Sequence, residues 1–271
     1  MLKLYTTVSS TRDYVGLNQY IDYWHELGMV ERVNLPYHDS RFCSWLGKET
    51  EAKLMLEPSD PRYSTMPFEY CLCSQYREAI HGSNERILPW NFFVRDWATY
   101  EDVMEEPDVP RTCKSIFSGT IRGDKHSRLI FKDSTEIWSA TYARNYNKTN
   151  HRFPNMKEYY RQLKRTQFGL ALGGDGGDKS CCQREWEYMG LGCIPIFDPH
   201  VEHITYDSPI YGIHFYKAST PEEMNEIINT MPESVRHEII FNITTYFERY
   251  ISPTGLWQTV LNTIDERNIK V

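Results

Sequence analysis

The sequence predicts an α/β chain: two doubly wound, Rossmann-like sheet units followed by C-terminal helices. Short β-rich runs alternate with amphipathic helical runs through both halves. A Pro-bearing stretch, MEEPDVPRT, interrupts that alternation near residue 105. The tail from Pro221 to Asn268 carries helix starts and no strand pattern. With 271 residues, 40% of them hydrophobic, the chain accommodates two units of about 100 to 150 residues each.

The first half opens with the strand-like LKLYTT, followed by a helical pattern from about Val15 to Leu27. VERVNL, AKLMLEP, EYCLCSQ and RILPW then read as successive strands, and their alternation with helix favours a parallel sheet. RILPWNFFVRDW reads as the last strand of this half and the entry to a linker, with Trp90, Asn91, Arg95 and Asp96 expected to line a cleft. The second half starts with the strand KSIFSG, turns at TIRGDKHSR, and continues through WSATYA, a helix around NMKEYYRQLKRT and the strand FGLAL. The helix CCQREWEYMGLG and the strand CIPIF complete a second doubly wound unit. PEEM, PESV and SPTG each place Pro near a helical N-terminus and start the tail helices. The expected domains are therefore 1–105, 106–250 and a closing helix over 251–271 that packs back on the first. Two open sheets of this kind are expected to take a ligand at the carboxyl ends of their strands, in a cleft between them.

Thirty basic residues against thirty-seven acidic ones leave a net charge of -7. No basic run is dense enough to neutralise several phosphates of a polymer, so a nucleic-acid partner is not expected. The seven cysteines sit inside apolar patterns instead of at zinc-finger spacings, which fits a reduced, intracellular protein. No stretch approaches the ~20 apolar residues of a membrane span. A soluble, cytoplasmic protein is expected, and the sequons at Asn147 and Asn242 are read as chance.

The richest stretch is GLALGGDGGDKSCCQREWEYMGLGCIPIF, Gly169 to Phe197. It is not a P-loop, because Asp178 separates Gly177 from Lys179 and puts a negative charge where the phosphate would lie. A dinucleotide fingerprint fails as well, since its third glycine falls on Lys179. Asp175 and Asp178 are spaced as loop groups or caps rather than as a metal pair, and no metal is expected. What remains is a Gly-rich loop, with Gly174, entering a helix whose start near Lys179 and Ser180 offers N–H groups to an anion. Arg184 and Glu187, three apart, share a face of that helix. Spacing alone also describes a plain intrahelical ion pair. A nucleotide sugar needs both groups, a cation for the diphosphate and a carboxylate to accept from the ribose hydroxyls.

REWEYMGLGCIPIF resembles the Arg-x-x-Glu helix and Gly-Cys-Ile-Pro-Val run of the exostosin family of glycosyltransferases, inverting enzymes of the two-domain GT-B type. FGLALGGDGGD resembles that family's apolar strand and loop, and SIFSGTIRGDKHSR its Phe-x-Gly turn and Arg-bearing helix start. The resemblance covers roughly residues 114 to 200. It implies that Arg184 contacts the donor diphosphate, Glu187 the ribose, and the Ser118, Gly119 and Thr120 turn the phosphates from the other side. Arg122 or Arg128 adds charge. It implies a UDP-sugar donor, a glycan acceptor on an oligosaccharide or glycoprotein, no permanently bound cofactor and no required metal. The chain is similar to the stand-alone exostosin-like transferases of large DNA viruses that act in the host cytoplasm, and by that analogy xylose is the first donor sugar, ahead of glucose, galactose and glucuronic acid.

Inversion by single displacement needs one general base to take the acceptor proton. Carboxylates after N-terminal strands are the candidates: Asp13 after LKLYTT, Asp39 after VERVNLPYH, Glu57 ending AKLMLE, and Asp60 just beyond. Glu57 leads, because a carboxylate ending an apolar strand before Pro58 is rigidly held and open to pKa tuning. Two rivals stand beside the transferase. One is a non-catalytic nucleotide or carbohydrate binding module; the other is an epimerase or dehydrogenase using Tyr160 and Lys164, whose Tyr-x-x-x-Lys spacing precedes the glycines and reads as coincidence.

Overall fold

The structure is a computed structural model that describes residues 1–7, 15–35, 44–57, 67–74, 76, 81–91, 93–121, 129–142, 153, 155–173, 182–202 and 204–271, without the side chains of 7, 15, 57, 120, 121 and 140–142. The chain forms two compact units, one of residues 1–97, 204–208 and 248–271, the other of 98–203 and 209–247.

The first unit holds six strands: β1 (Leu2–Thr7), β2 (Val30–Leu35), β3 (Ser44–Lys48), β4 (Glu51–Glu57), β5 (Phe68–Cys73) and β6 (Ile87–Pro89), in the order β2-β1-β3-β4-β5-β6. Helix α1 (Val15–Glu26) joins β1 to the parallel β2 and buries Leu17, Tyr20, Ile21 and Trp24, the spacing of one helical face. The fully parallel sheet expected here is corrected by β3, which runs antiparallel to both β1 and β4. SWLGK is short and contains a glycine, so no clean strand period announces it; burial of Trp45 and Leu46 holds it in place. The pairing register shifts between Leu46 and Gly47, a bulge at the approach to the β3–β4 hairpin. Since β4 pairs parallel with β5 and β5 with β6, every strand but β3 points the same way. The carboxyl ends at Thr7, Leu35 and Glu57 therefore share one edge of the sheet.

The last helix, α7 (Pro253–Glu266), belongs to this unit and buries Leu256, Trp257, Val260 and Thr263. Trp24 Nε1 donates to the Pro253 carbonyl at 2.7 Å, and Tyr20 Oη to that of Ile251 at 3.0 Å. Trp90, expected at a cleft, is fully buried and donates to Thr259 Oγ1 at 3.0 Å. Asn91 is buried too, and Asp96 accepts from Gln19 at 3.0 Å. Trp90 and Asn91 are thus core groups, and α2 (Trp97–Glu105) follows where a linker entry was read.

The second unit holds β7 (Cys113–Ile121), β8 (Ile137–Tyr142), β9 (Thr166–Ala171), β10 (Ile194–Phe197) and the short β11 (Tyr216–Lys217), in the order β11-β10-β9-β7-β8. All four pairs are parallel. Its helices are α2, α3 (Met156–Lys164), α4 (Gln183–Gly190) and α5 (Pro221–Thr230), while α6 (Glu233–Tyr250) runs from this unit into the first. Near-continuous burial of Ile116, Phe117, Phe168, Leu170, Ile194, Ile196 and Phe197 is what a sheet covered on both faces requires.

Candidate functional site

The candidate site grows from the carboxyl-terminal third of β7 and the first turn of α4. Ser118, Gly119 and Thr120 were expected as a turn, but they continue the strand: Ser118 pairs with Ser139, Gly119 with Ala140 and Thr120 with Thr141. The strand persists because an apolar pair anchors it, Phe117 stacked on its cross-strand partner Trp138 at 4.5 Å. The Arg184 guanidinium lies over the Phe117 ring, 5.2 Å from its centroid, a cation–π geometry. A Cβ at residue 119 would overlap Arg184 Nη2, so glycine is needed there to let the guanidinium approach the strand. Phe117 thus contacts both Trp138 and the Arg184 guanidinium, which brings a positive charge to the carboxyl-terminal part of the strand, where parallel sheets bind ligands.

Arg184 sits in the first turn of α4, whose N-cap Cys182 has extended backbone and makes no side-chain capping bond. The positive end of the helix dipole at such a turn favours an anion. Glu185, in the same turn, is buried. Glu187 follows one turn after Arg184 and is fully buried, with Tyr160 Oη donating to its Oε1 at 3.1 Å. The face Arg184 and Glu187 share is thus split between a half-buried cation and an enclosed carboxylate.

The far end of α4 is clamped. Arg111 donates to the Leu191 carbonyl at 2.7 Å and to that of Thr166 at 2.9 Å, tying α4 to β9. Burial pulls the Arg111 pKa down, and the same burial pushes the neighbouring Cys193 thiol up, keeping it protonated. Gly192 (φ 66°) ends the helix in the left-handed conformation, and Tyr100 Oη donates to the Gly190 carbonyl at 3.0 Å. Trp186 stacks on Tyr246 at 6.2 Å, and Gly169 in β9 leaves the space that the Tyr188 ring fills.

Of the groups read from sequence, the structure brings Gly119 and Arg184 together and places Glu187 a turn away from Arg184. Thr120 is placed by its backbone alone. Arg122, Arg128, Gly174 and Ser180 lie outside the described residues, as do Asp13 and Asp39. Glu57 ends β4 opposite Cys73 in β5, and its side chain is likewise outside the description. Tyr160 and Lys164 acquire separate partners: Lys164 Nζ donates to the carbonyls of Val103 at 3.1 Å and Glu106 at 2.6 Å, capping α2. Sequence reading missed the part played by Tyr160, and missed the ring of Phe117 beneath Arg184; the alternation of β7, which puts Phe117 and Gly119 on one face, was the available signal. Among the described residues, no cluster of His, Cys, Asp and Glu could hold a metal ion, and no helix is long and apolar enough to cross a membrane.

No protein-family model matches the chain, and no curated protein matches it in sequence. Among solved structures, a glycosyltransferase from Rickettsia africae aligns over 97% of this chain and 97% of its own, with a TM-score of 0.58 at 7% identity. T4 phage β-glucosyltransferase aligns over 79% of this chain and 71% of that one, with a TM-score of 0.47 at 13% identity. A mutant of the T4 phage enzyme in complex with UDP-glucose gives 0.46 at 13% identity, over 76% of this chain and 64% of that chain. In that alignment the chain spans less than two thirds of the phage enzyme's length. The likeness to the Rickettsia protein is one of fold, and the fold is the α/β, GT-B type expected, with two Rossmann-like sheets, one strand reversed in the first, and C-terminal helices.

Proposed function

We propose that the chain is an inverting glycosyltransferase that moves a sugar from a UDP-sugar to a glycan hydroxyl by single displacement. One observation carries this reading: the Arg184 guanidinium is held by Phe117 and Gly119 at the carboxyl end of β7, at the first turn of α4. A diphosphate gains negative charge as it leaves the sugar, and a guanidinium beside a helix start stabilises the transition state more than the ground state. That arrangement does the work of a metal ion, so the proposal includes none. Ser118, Thr120, Arg122, Arg128, Gly174 and Ser180 supply the remaining contacts and clearance for the phosphates, and Glu187 accepts from the ribose.

Residues 106–250 are proposed as the donor half and 1–105 as the acceptor half, with 251–271 as the closing helix. Glu57 is the proposed general base, with Asp13 and Asp39 as its alternates; each follows a strand end on the same edge of the first sheet. The acceptor is proposed to be an oligosaccharide or glycoprotein glycan, and xylose is the first donor sugar by the family resemblance alone. The five described cysteines are all free, which supports a reducing setting such as the cytoplasm.

The test is a thermal-shift screen against UDP, GDP and their sugars, followed by UDP-sugar turnover in the best case. UDP compounds are expected to stabilise the wild type, and Arg184→Ala to lose both stabilisation and turnover while keeping its fold. Full turnover in Arg184→Ala sinks the donor site; binding with no hydrolysis or transfer by the wild type makes the chain a binding module.

A further inference from the structure

Tyr160 and Lys164 lie on one face of α3, and the structure gives each a different task. Lys164, almost fully buried, spends its ammonium on the carbonyls that end α2. Tyr160, fully buried, donates its hydroxyl to Glu187 Oε1 at 3.1 Å. We propose that Tyr160 is a positioning residue for nucleotide recognition: its hydroxyl sets the orientation in which the Glu187 carboxylate accepts the ribose 2′ and 3′ hydroxyls. The inference rests on the donor-site reading of Arg184 and Glu187.

A carboxylate enclosed as Glu187 is takes its orientation from its neighbours and not from water. Tyr160 is such a neighbour, and its own position is fixed. The helix that carries it starts at the Asn155 cap, whose side chain accepts from Glu158 N at 2.9 Å. It ends at the Lys164 anchor, and Arg161 adds bonds to Glu106 at 2.9 Å. The Tyr160 ring is held edge-on by Tyr100 at 6.3 Å and against Tyr159 at 5.6 Å. A carboxylate offers about four lone-pair positions, more than one phenol proton fills. The phenol donates its only proton to Oε1, which aims the carboxylate.

The experiment measures dissociation constants for UDP and for 2′-deoxy-UDP by titration calorimetry. The chains compared are the wild type, Tyr160→Phe, Glu187→Gln and the double variant, with melting temperatures recorded for each. The wild type is expected to prefer UDP. Tyr160→Phe should lose about three- to ten-fold of that preference, the size of one hydrogen bond's contribution, while both nucleotides still bind. In the Glu187→Gln background the same replacement should change nothing further, since the two groups act as one unit. A wild-type preference that survives intact in Tyr160→Phe overturns the positioning role and leaves the donor site standing. A wild type that binds no UDP, or binds both nucleotides equally, overturns the Glu187–ribose reading and the positioning role with it. A Tyr160→Phe chain that cannot fold also overturns it, because the hydroxyl would then be holding the core.

Discussion

In the second sheet every neighbouring pair of strands runs parallel, whereas in the first β3 runs against both of its neighbours. The parallel sheet collects its strand ends on one edge and sets a helix start beside them, which is how Gly119 and Arg184 come to meet. The reversed β3 fills a gap with Trp45 and Leu46 and leaves the directions of the other five strands unchanged. On the proposed reading, the second sheet holds the donor's anion at a helix start and the first carries the base at a strand end. The largest expected effects separate these jobs. Glu57→Gln should lower transfer by about 10²- to 10⁴-fold, the range for a lost general base, with UDP affinity unchanged. Arg184→Ala should lower turnover by about 10²- to 10³-fold and weaken UDP binding as well. Initial rates paired with UDP titrations check both; a Glu57→Gln chain that loses UDP affinity but keeps its rate breaks the division.

The two sheets also differ in what holds them. In the first, Trp45 stacks on Tyr5 at 5.8 Å and donates to the Lys48 carbonyl at 2.9 Å, closing the reversed hairpin onto β1. Trp45→Ala should cost about 3 to 5 kcal/mol, the toll of a large core truncation, read from urea midpoints. In the second, a single cation does comparable work by bonding. Arg111→Met removes the donors that join α4 to β9 and leaves buried carbonyls unpaired, an expected loss of about 2 to 3 kcal/mol. A loss in Arg111→Met that exceeds the Trp45→Ala loss would reverse the order.

These contrasts track what was readable from the chain. The second sheet follows strong signals: FGLAL and CIPIF are short apolar runs bounded by helix and glycine, and both are strands. β3 escaped because Gly47 and the charged end of SWLGKET blur a two-residue period. α2 escaped because Pro107 and Pro110 drew the reading toward a linker, although a helix can end just before such residues. In the site, Arg184 and Glu187 were legible as a shared helix face. That Glu187 is enclosed and bonded to Tyr160 was not, since the partner comes from a helix 27 positions earlier and depends on how α3 packs.

Gly119→Ala tests the donor side with a smaller perturbation. The added methyl meets the Arg184 guanidinium, the far end of a flexible side chain, so the cost falls on the aim of the charge more than on the fold. UDP affinity should drop by about five- to twenty-fold, somewhat more than one weak contact, with the melting temperature nearly unchanged. Gly169→Ala is the control in the same unit, since its methyl meets the Tyr188 ring inside the core. It should destabilise by about 1 to 3 kcal/mol through overpacking. If both replacements act only on stability, Gly119 is a packing glycine and not part of the site.

The smallest effect is a rate of chemical labelling. Cys182 caps α4, is partly exposed, and uses no side-chain capping bond. Cys193 is enclosed at the other end of the same helix, with its thiol held protonated by burial, and Cys71 and Cys73 are buried in the first sheet. An alkylating reagent should therefore modify Cys182 in the folded chain and spare the other three, because only an accessible thiolate reacts. A diphosphate resting on the first turn of α4 would cover Cys182, so saturating UDP should slow its labelling while inorganic phosphate at the same concentration slows it less. Peptide mapping by mass spectrometry, which distinguishes Cys182 from Cys181, reads the rate directly. Labelling of Cys182 that ignores UDP, in a chain that calorimetry shows to be saturated, moves the diphosphate away from the helix start and leaves Arg184 as a cation of the core.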